Sequence, residues 1–157
     1  MQTRSLTHQL SQEAVECLLT QAQTGVLSTV DPDGVPYGVP LHFVLLDGVL
    51  YFHCRTEGEK TDNLIARPQV CFTVYEMHNL ILPDEPRPCG VNTHYDSVIV
   101  RGQAALVEDQ TEKLAALHAI VAKYTPQFAD KELPQTAVDA TAVVKITPTR
   151  TTGKYYK

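Results

Sequence analysis

Between Ser11 and Gly25 the apolar residues Val15, Leu18, Leu19 and Ala22 recur at the i, i+3, i+4, i+7 spacing of one helix face. Ser11 stands where an N-cap side chain takes up a free backbone N–H, and Gly25 where a helix commonly stops. An amphipathic helix over 11–25 is predicted. Beyond it the period falls to two. Val26–Val30 reads as a strand, followed by the turn Asp31-Pro32-Asp33-Gly34 and an extended run from Val35 to Leu46. Pro36 and Pro40 lack N–H donors, so this run suits an edge or bulged strand.

Asp47-Gly48 is a two-residue hairpin signal, since both central positions of a type I′ turn need positive φ. With Leu46 and Val49 as its flanks, Leu45 faces Leu50, Phe43 faces Phe52 and Leu41 faces Cys54, an apolar face suited to a core. The other face carries His42 opposite His53, Val44 opposite Tyr51 and Pro40 opposite Arg55, so polar chemistry is predicted to collect there.

A short helix is predicted from Glu59 to Ala66, stopped by Pro68, and a strand from Gln69 to Tyr75. Residues 76–94 break the pattern with Pro83, Pro86, Pro88, Gly90 and Asn92 and read as a long loop, suited to covering a site or a second copy. A strand from Tyr95 to Val107, a helix from Thr111 to Tyr124 with Leu114, Leu117, His118 and Val121 on one face, and a last strand from Ala142 to Thr147 follow. Residues 125–140 read as a mixed connector. The tail Thr151–Lys157 reads as polar, with Tyr155 and Tyr156 exposed or docked on a partner. Six or so strands on short turns, with few helices and no internal repeat, favour a closed or partly closed antiparallel barrel.

At 157 residues the chain suits a single domain spanning 1–157, and 43% hydrophobic with 20% charged residues is a globular composition. The first residues lack the apolar core of a secretory signal, and no stretch has the roughly 20 apolar residues of a membrane span, so a cytoplasmic protein is expected. Cys17, Cys54, Cys71 and Cys89 show no CxxC pairing and read as reduced thiols. A net charge of −5 argues against nucleic acid as the main partner. The distribution of the cations says more. No Lys or Arg lies between Arg4 and Arg55, and then Arg55, Lys60 and Arg67 arrive within thirteen residues. They mark either an anion-binding patch or a solvated helix face.

The segment Leu50–Lys60 runs from a strand through a Gly58 turn into a helix start, where free N–H groups and the helix dipole favour a phosphate, with Arg55 and Lys60 adding charge. The GxxxxGK[ST] spacing of a nucleoside triphosphate loop is absent, as is GxGxxG. His42 and His53 have no third ligand at a readable spacing, so no metal is predicted. Cys54 falls on the core face and reads as structural. Ser97 follows an aspartate on a strand and is no nucleophile elbow, so hydrolysis is not indicated.

Three stretches, PYGVPLHFV (36–44), LYFHCRTEGEK (50–60) and YDSVIVRG (95–102), resemble those of the pyridoxamine-phosphate-oxidase-like FMN-binding split barrels, and within them the nitroimidazole-resistance branch. The resemblance spans most of 11–148. It implies a six-stranded antiparallel split β-barrel with flanking helices, a homodimer, and FMN in clefts between the subunits. Carried over by position, Lys60 meets the FMN phosphate with Gly58 and Arg55 beside it. Val39, Pro40, Leu41 and His42, with His53 and Cys54, line the isoalloxazine and ribityl chain, and Ser97 approaches from a further strand. The end of the chain, TTGKYYK, lacks the Arg-containing substrate motif of the true oxidases, which argues against vitamin B6 oxidation. The expected function is an FMN-dependent oxidoreductase with His53 as its catalytic side chain and a small-molecule electron acceptor, nitro-aromatic compounds such as 5-nitroimidazoles among them. A non-catalytic holder of flavin or haem on the same barrel, with His42 or His53 as axial ligand, is the alternative. A ligand-free interaction module is a third.

Overall fold

The computed structural model describes residues 7–84 and 87–157. Helix α1 spans Gln12–Gln21, and the Ser11 side chain accepts the Ala14 N–H at 3.2 Å. The helix ends sooner than predicted, at Ala22, because Gly25 does not serve as its stop. That glycine opens strand β1 (Gly25–Val30), and a Cβ there would run into the Phe72 ring. Strand β2 (Pro36–Leu41) returns antiparallel along β1, with Val30 opposite Pro36 and Gly25 opposite Leu41. Short β3 (Val44–Leu46) and β4 (Val49–Cys54) form the expected hairpin, in which Asp47 and Gly48 have φ of 49° and 79°. Helix α2 occupies Glu59–Ala66 as predicted, followed by β5 (Gln69–Ile81), β6 (Asn92–Leu106), α3 (Gln110–Tyr124), α4 (Gln135–Asp139) and β7 (Ala142–Tyr156).

Among the described residues, seven strands join one antiparallel sheet in the order β2-β1-β5-β6-β7-β4-β3. Its two outermost strands are consecutive in the chain, separated by His42 and Phe43 alone. Laid flat, the sheet would hold those edges roughly 29 Å apart at about 4.8 Å per strand, whereas the link reaches at most about 10 Å. The sheet must therefore curl until β2 meets β3. The barrel so formed is filled by Leu27, Phe43, Leu50, Phe52, Phe72, Val98, Val100 and Ile146, all fully buried, with Leu19 of α1 over one end.

Several expectations change. The barrel has seven strands, because the run from Val35 to Leu46 breaks at the curl. Past Val44–Tyr51 the predicted hairpin register ends: His53 pairs with Val143 and Cys54 with Ala142 on β7, while Pro40 pairs with Val26 on β1. Val44 and Tyr51 are no polar face, since α3 buries them with Val107 and Val143. It does so through Ala116 and Ile120, while His118 of the predicted apolar face is exposed. Small Ala116 lets the helix approach the sheet closely. Residues 76–94 are mostly not a loop, for β5 and β6 continue as a paired hairpin arm to Ile81 and Asn92. Pro86 of the predicted loop lies outside the described residues. The tail is also strand, pairing Tyr156 with Tyr95.

Candidate functional site

The curl is held by the end of α3. Lys123 Nζ donates to the Phe43 carbonyl at 3.0 Å and sits 4.3 Å from the centroid of the Phe43 ring. The Phe43 N–H donates to Tyr124 Oη at 2.9 Å, and that hydroxyl's own hydrogen serves the Gln23 or the Phe43 carbonyl, each at 2.9 Å. Burial holds the Lys123 ammonium below its ordinary pKa and the Tyr124 phenol above it. This lock presents His42 to solvent, its imidazole stacked on the Tyr124 ring at 4.4 Å and 17°.

His53, exposed near the end of β4, shares this region. Partial loss of hydration, then the fields of His42 and Lys60, lower its pKa, so the imidazole is neutral at neutral pH. His42 and Lys60 therefore lie near enough to act on His53 electrostatically, although His42 and His53 are not ladder partners. Lys60 lies 5.6 Å from the centroid of the Phe52 ring, within cation–π range.

Gly58 caps α2 with φ of 133°, a conformation side chains rarely adopt, and no side chain caps the helix. The first N–H groups of α2 are thus open to an anion, although Glu59 and Asp62 in the first turn oppose one. The turn is fixed from below. Thr61 Oγ1 donates to the Arg55 carbonyl at 3.3 Å, and buried Asn63 donates to Thr29 Oγ1 at 3.2 Å. Arg55 is exposed beside this turn. Arg67 is not part of the cluster, because it donates to the Pro32 carbonyl at 2.7 Å on the β1–β2 turn.

The remaining predicted residues divide by the pleat. Val39, Leu41 and Cys54 pack against the core, so only their backbone can meet a ligand, whereas Pro40 is exposed. Ser97 stands apart. It pairs with Lys154 and donates to that residue's carbonyl at 3.3 Å, while His53 pairs with Val143. Those two β7 positions are eleven residues apart, roughly 35 Å along a straight strand. Ser97 instead lines a cavity of about 730 Å³ between α1, the β3–β4 turn and β7, with Leu10, Val15, Leu45 and Lys154. Sequence reasoning missed Lys123 and Tyr124. Their role depends on an 80-residue contact with Phe43, and a Lys-Tyr pair ending a helix carries no sign of it.

Curled antiparallel sheet, helix-filled end and the open α2 turn together define a split-barrel protein. The sequence pattern of the pyridoxamine 5'-phosphate oxidase family matches residues 11–155, and the chain belongs to that family. No curated protein matches it. Among solved structures it is similar to a protein of Bacteroides thetaiotaomicron VPI-5482, described provisionally as a 5-nitroimidazole antibiotic resistance protein. That pair shares 29% identity and a TM-score of 0.78 over 92% of this chain and 83% of the other. An F420 reductase shares 28% identity with a TM-score of 0.60, over 90% and 98% of the two chains. The flavocytochrome Anf3 of Azotobacter vinelandii, at 20% identity, shares the fold with a TM-score of 0.84 over 100% and 72%.

Proposed function

We propose that this chain binds FMN and, as a homodimer, passes electrons from it to a small-molecule acceptor. The uncapped start of α2 after Gly58, with Lys60 in its first turn and exposed Arg55 beside it, carries the reading. Lys60, Arg55 and the N–H groups after Gly58 hold the phosphate. The backbone of Val39, Pro40, Leu41 and Cys54, with the His42 ring, orients the isoalloxazine. Bound FMN supplies hydride or electron transfer, and the protein supplies binding and electrostatics. His53, neutral at rest, would relay a proton to the acceptor, taking one from water at its unprotonated ring nitrogen as it gives up the one on the other. Ser97 is too far from these groups within one chain, so in this reading the second copy supplies it. Membership of the family and the 29% identity to a protein described for 5-nitroimidazole resistance support FMN as the cofactor and a nitro-aromatic compound as the acceptor class.

The absorption spectrum of purified protein, alone and with added FMN, FAD or haem, tests the reading. A flavin spectrum is expected, and FMN at 100 times its dissociation constant adds about 2.7 kcal/mol of stability. Light scattering is expected to give twice 17.4 kDa. A colourless protein that gains no stability with FMN overturns the proposal. A haem band without flavin, or bound flavin that reduces no nitro-aromatic acceptor, points instead to the non-catalytic holder.

A further inference from the structure

The β5–β6 arm carries a side-chain cluster that the proposed flavin site does not use. The pairing of the two strands shifts register between Met77 and Asn79, and His78 is the extra residue in this bulge, a device that re-aims a side chain. Its Nε2 lies 2.9 Å from Asp96 Oδ2. Across the arm, His94 Nδ1 lies 3.0 Å from Asn79 Oδ1, and the Asn79 amide is oriented by its own N–H donating to the Leu80 carbonyl at 3.2 Å. Both partners of the imidazoles are acceptors, so the nitrogens facing them are N–H donors. In the neutral rings, the form that binds a metal, His78 Nδ1 and His94 Nε2 then carry the lone pairs. This is the arrangement in which a carboxylate or carbonyl fixes the tautomer of a metal-binding imidazole.

Distance and charge agree with it. The two ring centroids are 4.6 Å apart. With metal–nitrogen bonds of about 2.1 Å each ring centre would stand roughly 3.2 Å from a shared ion, and 4.6 Å lies within the roughly 6.4 Å that two such rings can span. Asp96 Oδ1 is buried without a hydrogen-bond partner, and Glu76 stands directly opposite Asp96 in the ladder. Like charges facing across a strand pair are unfavourable unless a cation offsets them.

We infer that His78 and His94 form a two-imidazole half-site for a divalent ion of the imidazole-preferring class, zinc or copper(II), with Asp96 and Asn79 as its positioning residues. Among the described residues no three His, Cys, Asp or Glu side chains gather around one point, so water or a second copy of the arm completes the coordination. The pattern of the sequence hides this pair, because both histidines fall in the stretch that reads as a loop.

Zinc chloride titrated into the metal-stripped full chain, in competition with a chromophoric chelator, tests this. One zinc per chain, or per two chains if the arms pair, is expected. His78→Ala and His94→Ala each weaken binding at least about tenfold, and Asp96→Ala, which keeps both imidazoles, weakens it about tenfold or more. His118→Ala on α3 leaves it unchanged. His78→Asn and His94→Asn repeat the loss with a side chain kept on the ladder, so a folding defect is told apart from a lost ligand. Zinc binding equal in wild type and the His78→Asn/His94→Asn double variant overturns the site, as does a wild-type chain that takes up no zinc.

Discussion

Strand β5 passes through two environments. From Val70 to Val74 every second side chain is buried, and the fully buried Phe72 meets Phe43 edge-on at 4.8 Å. From Tyr75 to Leu80 every residue is exposed, including Tyr75 at 54% and Met77 at 51%. The backbone ladder with β6 runs through both halves. In the barrel half the core dictates which way each side chain points. In the arm half the ladder is joined by surface side-chain pairs such as Tyr75 with Tyr95 and His78 with Asp96, and no core sets the direction of each side chain.

This contrast sets the expected size of mutational effects. Phe72→Ala should cost roughly 3–5 kcal/mol in denaturant unfolding, the range for truncating a buried aromatic, while Met77→Ala on the same strand should stay within about 0.5 kcal/mol. Equal losses at the two positions would mean that the arm is packed as tightly as the barrel. Tyr124→Phe keeps the ring beneath His42 but leaves the buried Phe43 N–H without its acceptor, and about 1–3 kcal/mol of stability should disappear.

A smaller effect is confined to high pH. Tyr51 donates to Glu112 at 2.8 Å, and burial, followed by that carboxylate, raises its pKa from 10.0 to about 12. Its folded pKa exceeds its unfolded one, so the contribution is complete below pH 10 and is lost as pH rises toward 12. Melting temperature should fall across that window in the wild type and less steeply in Tyr51→Phe. An identical slope in both would remove Tyr51 from the alkaline transition. The least effect on stability is expected at exposed His53. His53→Ala should leave the melting temperature and most FMN affinity in place while slowing reoxidation of reduced flavin by an added acceptor. Unchanged reoxidation kinetics would remove His53 from the chemistry.

What could be read in the sequence follows the same division. Helix α2 and the Asp47-Gly48 turn were legible because each is written in local chemistry, a glycine start and two positive-φ positions, whereas the period of two expected of β4 fails at Tyr51, which α3 buries. The places of Gly58 at the cap and Lys60 in the first turn of α2 were legible from that local chemistry. Pro36 and Pro40 marked β2 as an edge correctly, and β2 does lie at one edge of the sheet. The break at His42–Phe43 was not legible, since closure of the barrel imposes it through Lys123 and Tyr124 from 80 residues away. The arm was misread because its prolines and polar residues carry the pattern of a loop, and only pairing between β5 and β6 makes it strand. Ser97 was named from family resemblance alone, and one chain does not bring it to the other site residues.

The central claim, that Lys60 and the start of α2 hold the phosphate of FMN, is tested most directly by a cycle of two ligands and two proteins. FMN and riboflavin are titrated calorimetrically into the wild type and into Lys60→Ala. The wild type should bind FMN far more tightly than riboflavin. In Lys60→Ala the FMN affinity should fall by roughly 1.5–3 kcal/mol, the range for losing a hydrogen bond to a charged group, with riboflavin affinity unchanged and the preference narrowed by that amount. A preference for FMN that is as large in Lys60→Ala as in the wild type would place the phosphate elsewhere and contradict the account.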